Sequence, residues 1–299
     1  MTIAPRTLER LGLALAALTL AWIGSGTLAA LALTRRWSAP SEEPLPSDFT
    51  SVRLVASDGV ETGAFLGDVP APRTAVVLVH GNGSNRSALL EAARSLRARG
   101  HTVLPITVRA HGDSQGTRND LGWSARRDVA AAVRLLERHL DETQHAGTPI
   151  VVLGISLGAA ASVFAAAELG DRVSGYVLVG PYATLDLAVA RRTEHFLPPI
   201  ASELAYGALW VGGRLVLPEL DRIAPCDAAR AMPRDVPVLV IAGALDDRAP
   251  PSDAACITET LEAAEVVVID ELDHEEVSAI VPTEAGLRVI APFLDRLSD

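Results

Sequence analysis

The chain has 299 residues, 49% of them hydrophobic, enough to bury one large core, and a formal net charge of −11. That acidity excludes a nucleic-acid partner, whose phosphates need clustered positive charge. All 26 basic residues are arginine, which excludes a Ser–Lys dyad and lysine Schiff-base chemistry. The two cysteines, Cys226 and Cys256, form no CxxC motif or cysteine–histidine cluster, so neither a metal site nor a cofactor is expected. Two separate buried thiols are the first expectation, with a disulfide between them as the alternative if the domain lies outside the cytoplasm.

Taken in chain order, the first feature is Leu11 to Thr34, 24 residues without a charge, flanked by Arg10 and by Arg35-Arg36. A signal-peptide apolar region runs to about 7–15 residues, whereas about 20 are needed to cross the hydrocarbon core. Residues 1–36 therefore read as an N-terminal membrane anchor, with a cleaved, unusually long signal peptide as the alternative, followed by a Pro/Ser/Glu-rich linker over 37–49. Arginines on the two sides nearly balance. The N-terminal amine favours the N-in orientation, with the following domain outside the cytoplasm.

From residue 50 to 299 the pattern is that of one α/β domain. Thr50–Val55 and Thr62–Leu66, joined by Ser57-Asp58-Gly59, predict a hairpin. Ala75–Val79 is an apolar strand running into His80-Gly81-Asn82-Gly83. Arg86 to Arg99 predicts a helix stopped by Gly100, and His101 to Val108 a strand. After the loop Arg109 to Gly116 come a helix over Ala125–Leu140, a strand over Ile150–Leu153, a helix over Ala159–Leu169 and a strand over Val173–Val179. Two more strands, Val238–Ile241 and Val266–Ile269, precede a final helix over Pro282–Leu297. Apolar strands alternating with amphipathic helices imply an α/β fold with a mainly parallel central sheet and helices on both faces. Residues 182–222 interrupt this rhythm with Tyr182, Phe196, Pro198-Pro199, Tyr206 and Trp210. A small helical lid insertion is expected there; a helical packing layer without substrate contact is the alternative.

Gly154-Ile155-Ser156-Leu157-Gly158 stands between a buried strand and a small-residue helix. That is the pattern of a nucleophile elbow, in which the flanking glycines remove Cβ atoms that would collide across a sharp turn. Five residues with three fixed positions recur by chance, so the serine needs a base and an acid. Of seven histidines, His274 follows the last strand in Asp270-Glu271-Leu272-Asp273-His274, at the edge where sites form in parallel sheets. His80 and His111 read as loop-holding residues, His101 opens a strand, His139 lies on the exposed side of a helix, His145 in a polar loop, and His195 in the insertion. The acid follows Val238–Ile241, as Asp246 or Asp247; since alternate residues face opposite ways, only one can reach His274. The oxyanion site needs two backbone N–H groups, expected from Leu157 at the helix start and Asn82 in the glycine loop.

Taken together, these elements resemble the α/β-hydrolase fold serine hydrolases over roughly residues 50–298. His80-Gly81-Asn82-Gly83 is similar to the family's oxyanion loop and Arg109 to Gly116 to its Gly-x-Ser loop. Ser156 matches its elbow, Gly243-Ala244-Leu245-Asp246 its acid turn, and His274 its base. The resemblance implies Asp246 as the acid and a triad of Ser156, Asp246 and His274. It implies hydrolysis of carboxylic esters or thioesters through an acyl-enzyme on a small acyl substrate. A peptidase of the same fold and a non-catalytic membrane-tethered binding protein are the alternatives. Two departures stand out: Ala110 where a glycine is usual, and a crowd of carboxylates around His274.

Overall fold

The computed structural model describes residues 5–37 and 46–298. The N-terminal apolar run belongs to helix α1 (Pro5–Leu33), which extends a turn beyond it to take in Arg6, Glu9 and Arg10. Most of the linker, residues 38–45, lies outside the described residues.

The hairpin forms as β1 (Thr50–Val55) and β2 (Glu61–Leu66), then β3 (Ala75–Val79). Helix α2 (Leu90–Arg97), strand β4 (Thr102–Thr107), helix α3 (Arg126–Glu142), strand β5 (Ile150–Ile155) and helix α4 (Leu157–Leu169) follow. Strand β6 (Gly175–Val179) leads to α5 (Leu185–Phe196) and α6 (Pro199–Val216) in the insertion. After α7 (Pro225–Ala229) come β7 (Val238–Gly243), α8 (Pro251–Thr258) and β8 (Ala264–Ile269). The expected final helix forms as α10 (Glu284–Ser298), and a short helix α9 (His274–Ser278), outside the expected bounds, precedes it across a turn.

The eight strands make one sheet in the order β1-β2-β4-β3-β5-β6-β7-β8. Strands β4, β3, β5, β6, β7 and β8 are parallel neighbours; β1 and β2 pair antiparallel with each other, and β2 with β4. Every residue of β3 to β7 is buried, because helices cover both faces. Strand pleating sorts alternate side chains into two cores. Val77, Val79, Val152 and Val240 meet α3 and α4 residues such as Val133, Leu136 and Ala161. Val76, Leu78, Leu153 and Ile241 meet Ala93, Leu96, Val277 and Phe293 of α2, α9 and α10. The edge strand β8 alternates between half-buried and exposed residues.

By contact the chain divides into two compact units: Met1–Arg35 with Val189–Arg222, and Arg36–Ala188 with Ile223–Asp299. In the second unit Cys226 of α7 and Cys256 of α8 are joined in a disulfide, with Cα atoms 5.6 Å apart. The expectation of separate thiols is thus corrected. Helices α7 and α8 pack side by side, a proximity that spacing along the chain does not reveal. Helix α3 also differs in detail: His139 is half-buried, its Nε2 3.1 Å from Asp68, rather than fully exposed.

Candidate active site

The turn between β5 and α4 is too tight for ordinary residues on either side of Ser156. A Cβ on Gly154 would overlap the Gly158 carbonyl, and one on Gly158 would overlap the Val79 carbonyl of the adjacent strand. Ser156 takes the strain, with φ 50° and ψ −109°, a backbone region that non-glycine residues enter only where surroundings force it. Its N–H is held by the Val179 carbonyl at 2.8 Å. The hydroxyl is thereby fixed at the carboxyl end of β5, where α4 begins.

Two further strand ends bring partners to it. Ser156 Oγ lies 3.1 Å from His274 Nε2, and His274 Nδ1 lies 2.7 Å from Asp246 Oδ2. The fully buried carboxylate accepts only, so Nδ1 must carry the proton and Nε2 faces the serine as an acceptor. The other Asp246 oxygen accepts from the N–H groups of Arg248 (3.0 Å) and Ala249 (2.7 Å), which fixes the carboxylate. Asp247 is exposed, so alternation puts the first aspartate of the pair against His274. Gly180 lies beside this pair in the left-handed conformation that favours glycine, at φ 55°. Three of the carboxylates around His274 are engaged elsewhere. Asp273 caps α9 in a reciprocal pair with Glu276, and Glu275 pairs with Arg248 at 2.6 Å.

Among the described residues, no protein group accepts from the N–H of Leu157 or Asn82. The glycine loop passes close to the serine, since a Cβ on Gly81 would lie 3.7 Å from Ser156 Cβ. Two buried histidines hold that loop. His80 donates from Nδ1 to the Gly81 carbonyl (2.7 Å) and accepts at Nε2 from Val108 N–H (3.2 Å). His111 donates from Nδ1 to the Arg109 carbonyl (3.0 Å) and accepts from Gly83 N–H (3.3 Å). Each ring must be neutral to do this. Burial, helped by neighbouring His111, pushes His80 down to about 3, and burial lowers His111 too.

The same architecture is found in solved structures. The esterase Pf2001 of Pyrococcus furiosus aligns with a TM-score of 0.70 at 22% identity, covering 88% of this chain and 98% of the esterase. The family described as Hydrolase_4, serine aminopeptidase S33, matches residues 70–216. The chain belongs to the α/β-hydrolase family. Curated relatives of this α/β hydrolase include an uncharacterized protein of Mycobacterium tuberculosis, 30% identical over 257 residues, spanning 79% of the chain and 78% of the relative. The monoglyceride lipase of Homo sapiens is 30% identical over 112 residues, 37% of this chain and 35% of the lipase. A membrane phospholipase A aligns over 99% of this chain and 100% of its own length, at 18% identity and a TM-score of 0.60. Family and relatives make this an esterase- and lipase-like hydrolase.

The structure adds residues that no motif in the hydrolase's sequence announces. Buried Asn119 donates to the Asn82 side chain at 2.7 Å, fixing that loop residue from 37 positions away. Trp37 pairs with the Ala110–Gly112 backbone and lays its ring 3.4 Å from where a Gly83 Cβ would be. Arg36 holds the carbonyls of Gly112 (2.6 Å) and Gly116 (2.8 Å). Ala110, the departure from the usual glycine, sits at φ 59°, the left-handed conformation a glycine would adopt without strain. Arg109 anchors the base of its loop through Asp128 (2.7 Å) and Asp58 (2.7 Å), and its hydrogen bond holds the Asp58 carboxyl well below the usual range.

Proposed function

We propose that the protein cleaves carboxylic ester or thioester bonds through an acyl-enzyme on Ser156. The observation that carries this reading is the unbroken hydrogen-bonded line from Ser156 Oγ through His274 to Asp246, at 3.1 and 2.7 Å. His274 Nε2 takes the hydroxyl proton as Ser156 Oγ attacks the substrate carbonyl carbon. The charge that develops on the carbonyl oxygen is received by the N–H groups of Leu157 and Asn82, with the α4 N-terminus behind them. His274 then hands the proton to the departing alkoxide or thiolate. Asp246 keeps Nδ1 protonated and stabilises the imidazolium between the two transfers. Water, deprotonated by His274, attacks the acyl-enzyme and restores the serine. No cofactor enters, and no cluster of metal-ligating side chains occurs among the described residues.

Lipid-like esters are the substrate class we favour, supported by the monoglyceride lipase and membrane phospholipase likenesses. We read residues 1–36 as a membrane anchor, supported by a helix of 28 residues long and apolar enough to cross a bilayer. In this reading 37–49 is a linker, 50–299 the catalytic domain and 182–222 its lid. The disulfide supports an extracytoplasmic catalytic domain, because cytosolic thiols are kept reduced. Peptide hydrolysis is the second reading, favoured by the aminopeptidase description of the matching family. A panel of ester, thioester and aminoacyl-amide substrates on the full-length enzyme separates the two. Ester or thioester turnover that disappears in Ser156→Ala supports the first, and turnover confined to aminoacyl amides overturns it.

A further inference from the structure

The oxyanion loop is Gly81-Asn82-Gly83, two glycines around the residue whose N–H is to meet the developing charge. Glycine leaves a backbone free to shift, and Gly83 sits at φ 73°, in the left-handed region. A donor works only while it stays aimed, since misplacement by about 1 Å can cost about 10²-fold in rate. Such a loop needs a grip on each side of Asn82. His80 supplies the first, through the Gly81 carbonyl at 2.7 Å.

The second grip, on Gly83, has two parts. Its N–H donates to His111 Nε2 at 3.3 Å, and three atoms of the Trp37 indole stand 3.4–3.5 Å from where a Cβ would project. Both parts share one mount. Trp37 N–H donates to the Ala110 carbonyl (2.8 Å) and its carbonyl accepts from Gly112 N–H (3.2 Å), so the bridge brackets His111. Arg36, the residue before, ties the same loop through the Gly112 and Gly116 carbonyls. Ala110 is held there at φ 59°, a conformation costly to a residue with a Cβ. The indole is 45% exposed and belongs to neither core of the sheet, which leaves it little part in stability.

We infer that Trp37, mounted by Arg36, is a positioning residue of the reaction, acting through Gly83 to keep the Asn82 N–H aimed at the oxyanion. This deepens the hydrolase reading and rests on it. Without the ring, the hold on Gly83 falls to the His111 hydrogen bond, which at 3.3 Å is long. The loop then samples positions in which the Asn82 N–H misses the charge. The ground-state ester asks less of that N–H than the tetrahedral oxyanion does, so the loss falls on kcat rather than KM. Arg36-Trp37, the join between the segments read as anchor and linker, thus serves the site.

The test gives the full-length protein p-nitrophenyl butyrate as substrate and an alkyl trifluoromethyl ketone as transition-state mimic. Ser156 Oγ adds to the ketone carbonyl carbon, its proton passes to His274, and the carbonyl oxygen becomes the oxyanion. Trp37→Ala is expected to lower kcat about tenfold, less than the roughly 10²–10³ lost with an oxyanion donor itself, and to leave KM within about twofold. Ketone affinity should fall by the same factor as kcat/KM, with the melting temperature unchanged. Trp37→Phe, which keeps a ring on Gly83, should restore most of both. Arg36→Ala loosens the mount and leaves the indole; a loss of about threefold is expected, and it carries the test if Trp37→Ala does not fold. A native enzyme that turns over ester while both alanine variants match it overturns the positioning role and leaves the hydrolase standing. So does a rise in KM alone, a kcat loss with ketone affinity intact, or a loss that tracks melting temperature and is not rescued by Trp37→Phe. A native protein that neither hydrolyses the ester nor binds the ketone overturns the hydrolase reading and this inference with it.

Discussion

Glycine brings backbones together in both compact units, to opposite ends. At the elbow, Gly154 and Gly158 sit where all of β5 and nearly all of α4 is buried, and the closeness they permit puts Ser156 into a strained conformation. In the helix pair, Gly26 and Gly212 let α1 and α6 touch without strain, among leucines that stay exposed. The first arrangement is enforced by packing on every side and aims one hydroxyl. The second is held by one seam and leaves apolar surface exposed. A close approach thus takes its meaning from what surrounds it.

The sharpest way to break the comparison is at the serine. Ser156→Ala and His274→Gln are expected to lower ester turnover by about 10⁴-fold or more. Neither should lower the melting temperature, because in the proposed role strain at Ser156 serves chemistry rather than stability; a destabilised Ser156→Ala would contradict that. Next come the glycines themselves. Gly158→Val is expected to cost about 3 kcal/mol or more, since its side chain must displace the β3 backbone. Gly212→Leu should leave denaturant unfolding of the sheet and turnover of a water-soluble ester unchanged, and parallel losses in both would erase the distinction.

The disulfide closes 30 residues that carry β7 and Asp246. Its loss in Cys226→Ser is expected to destabilise the sheet unit by about 2–4 kcal/mol in urea unfolding, from loop-closure entropy alone. A smaller effect comes from pH. His80 is neutral in the folded state down to about 3 but titrates near 6.5 when unfolded. The unfolded chain therefore binds the extra proton first, and stability present above pH 6.5 falls as pH drops toward 3. At pH 5 the loss from His80 is about 2 kcal/mol. His80→Gln should flatten the slope of unfolding free energy between pH 6.5 and 4, and an unaltered slope would contradict the assignment.

Much of the sheet was legible because its strands are written as continuous apolar runs, from Ala75–Val79 to Val266–Ile269. Boundaries shifted where a strand passes into glycine, as at Gly154 and Gly175, since glycine carries no pattern. The proximity of Ser156, Asp246 and His274 was readable because each follows a strand and parallel strands end on one edge. What stayed hidden depends on packing between distant segments. Nothing local tells that Asn119 reaches Asn82, that Trp37 meets Gly83, or that α7 and α8 bring Cys226 to Cys256. The seam was equally silent, because Gly26 and Gly212 gain their role only when α1 and α6 meet.

The most direct measurement is covalent trapping by a fluorophosphonate, followed by peptide mapping of the adduct. The account predicts one adduct, on Ser156, formed rapidly by the native protein, slowed in Asp246→Asn and absent in Ser156→Ala. An unmodified protein, or an adduct on another residue that survives Ser156→Ala, would contradict it.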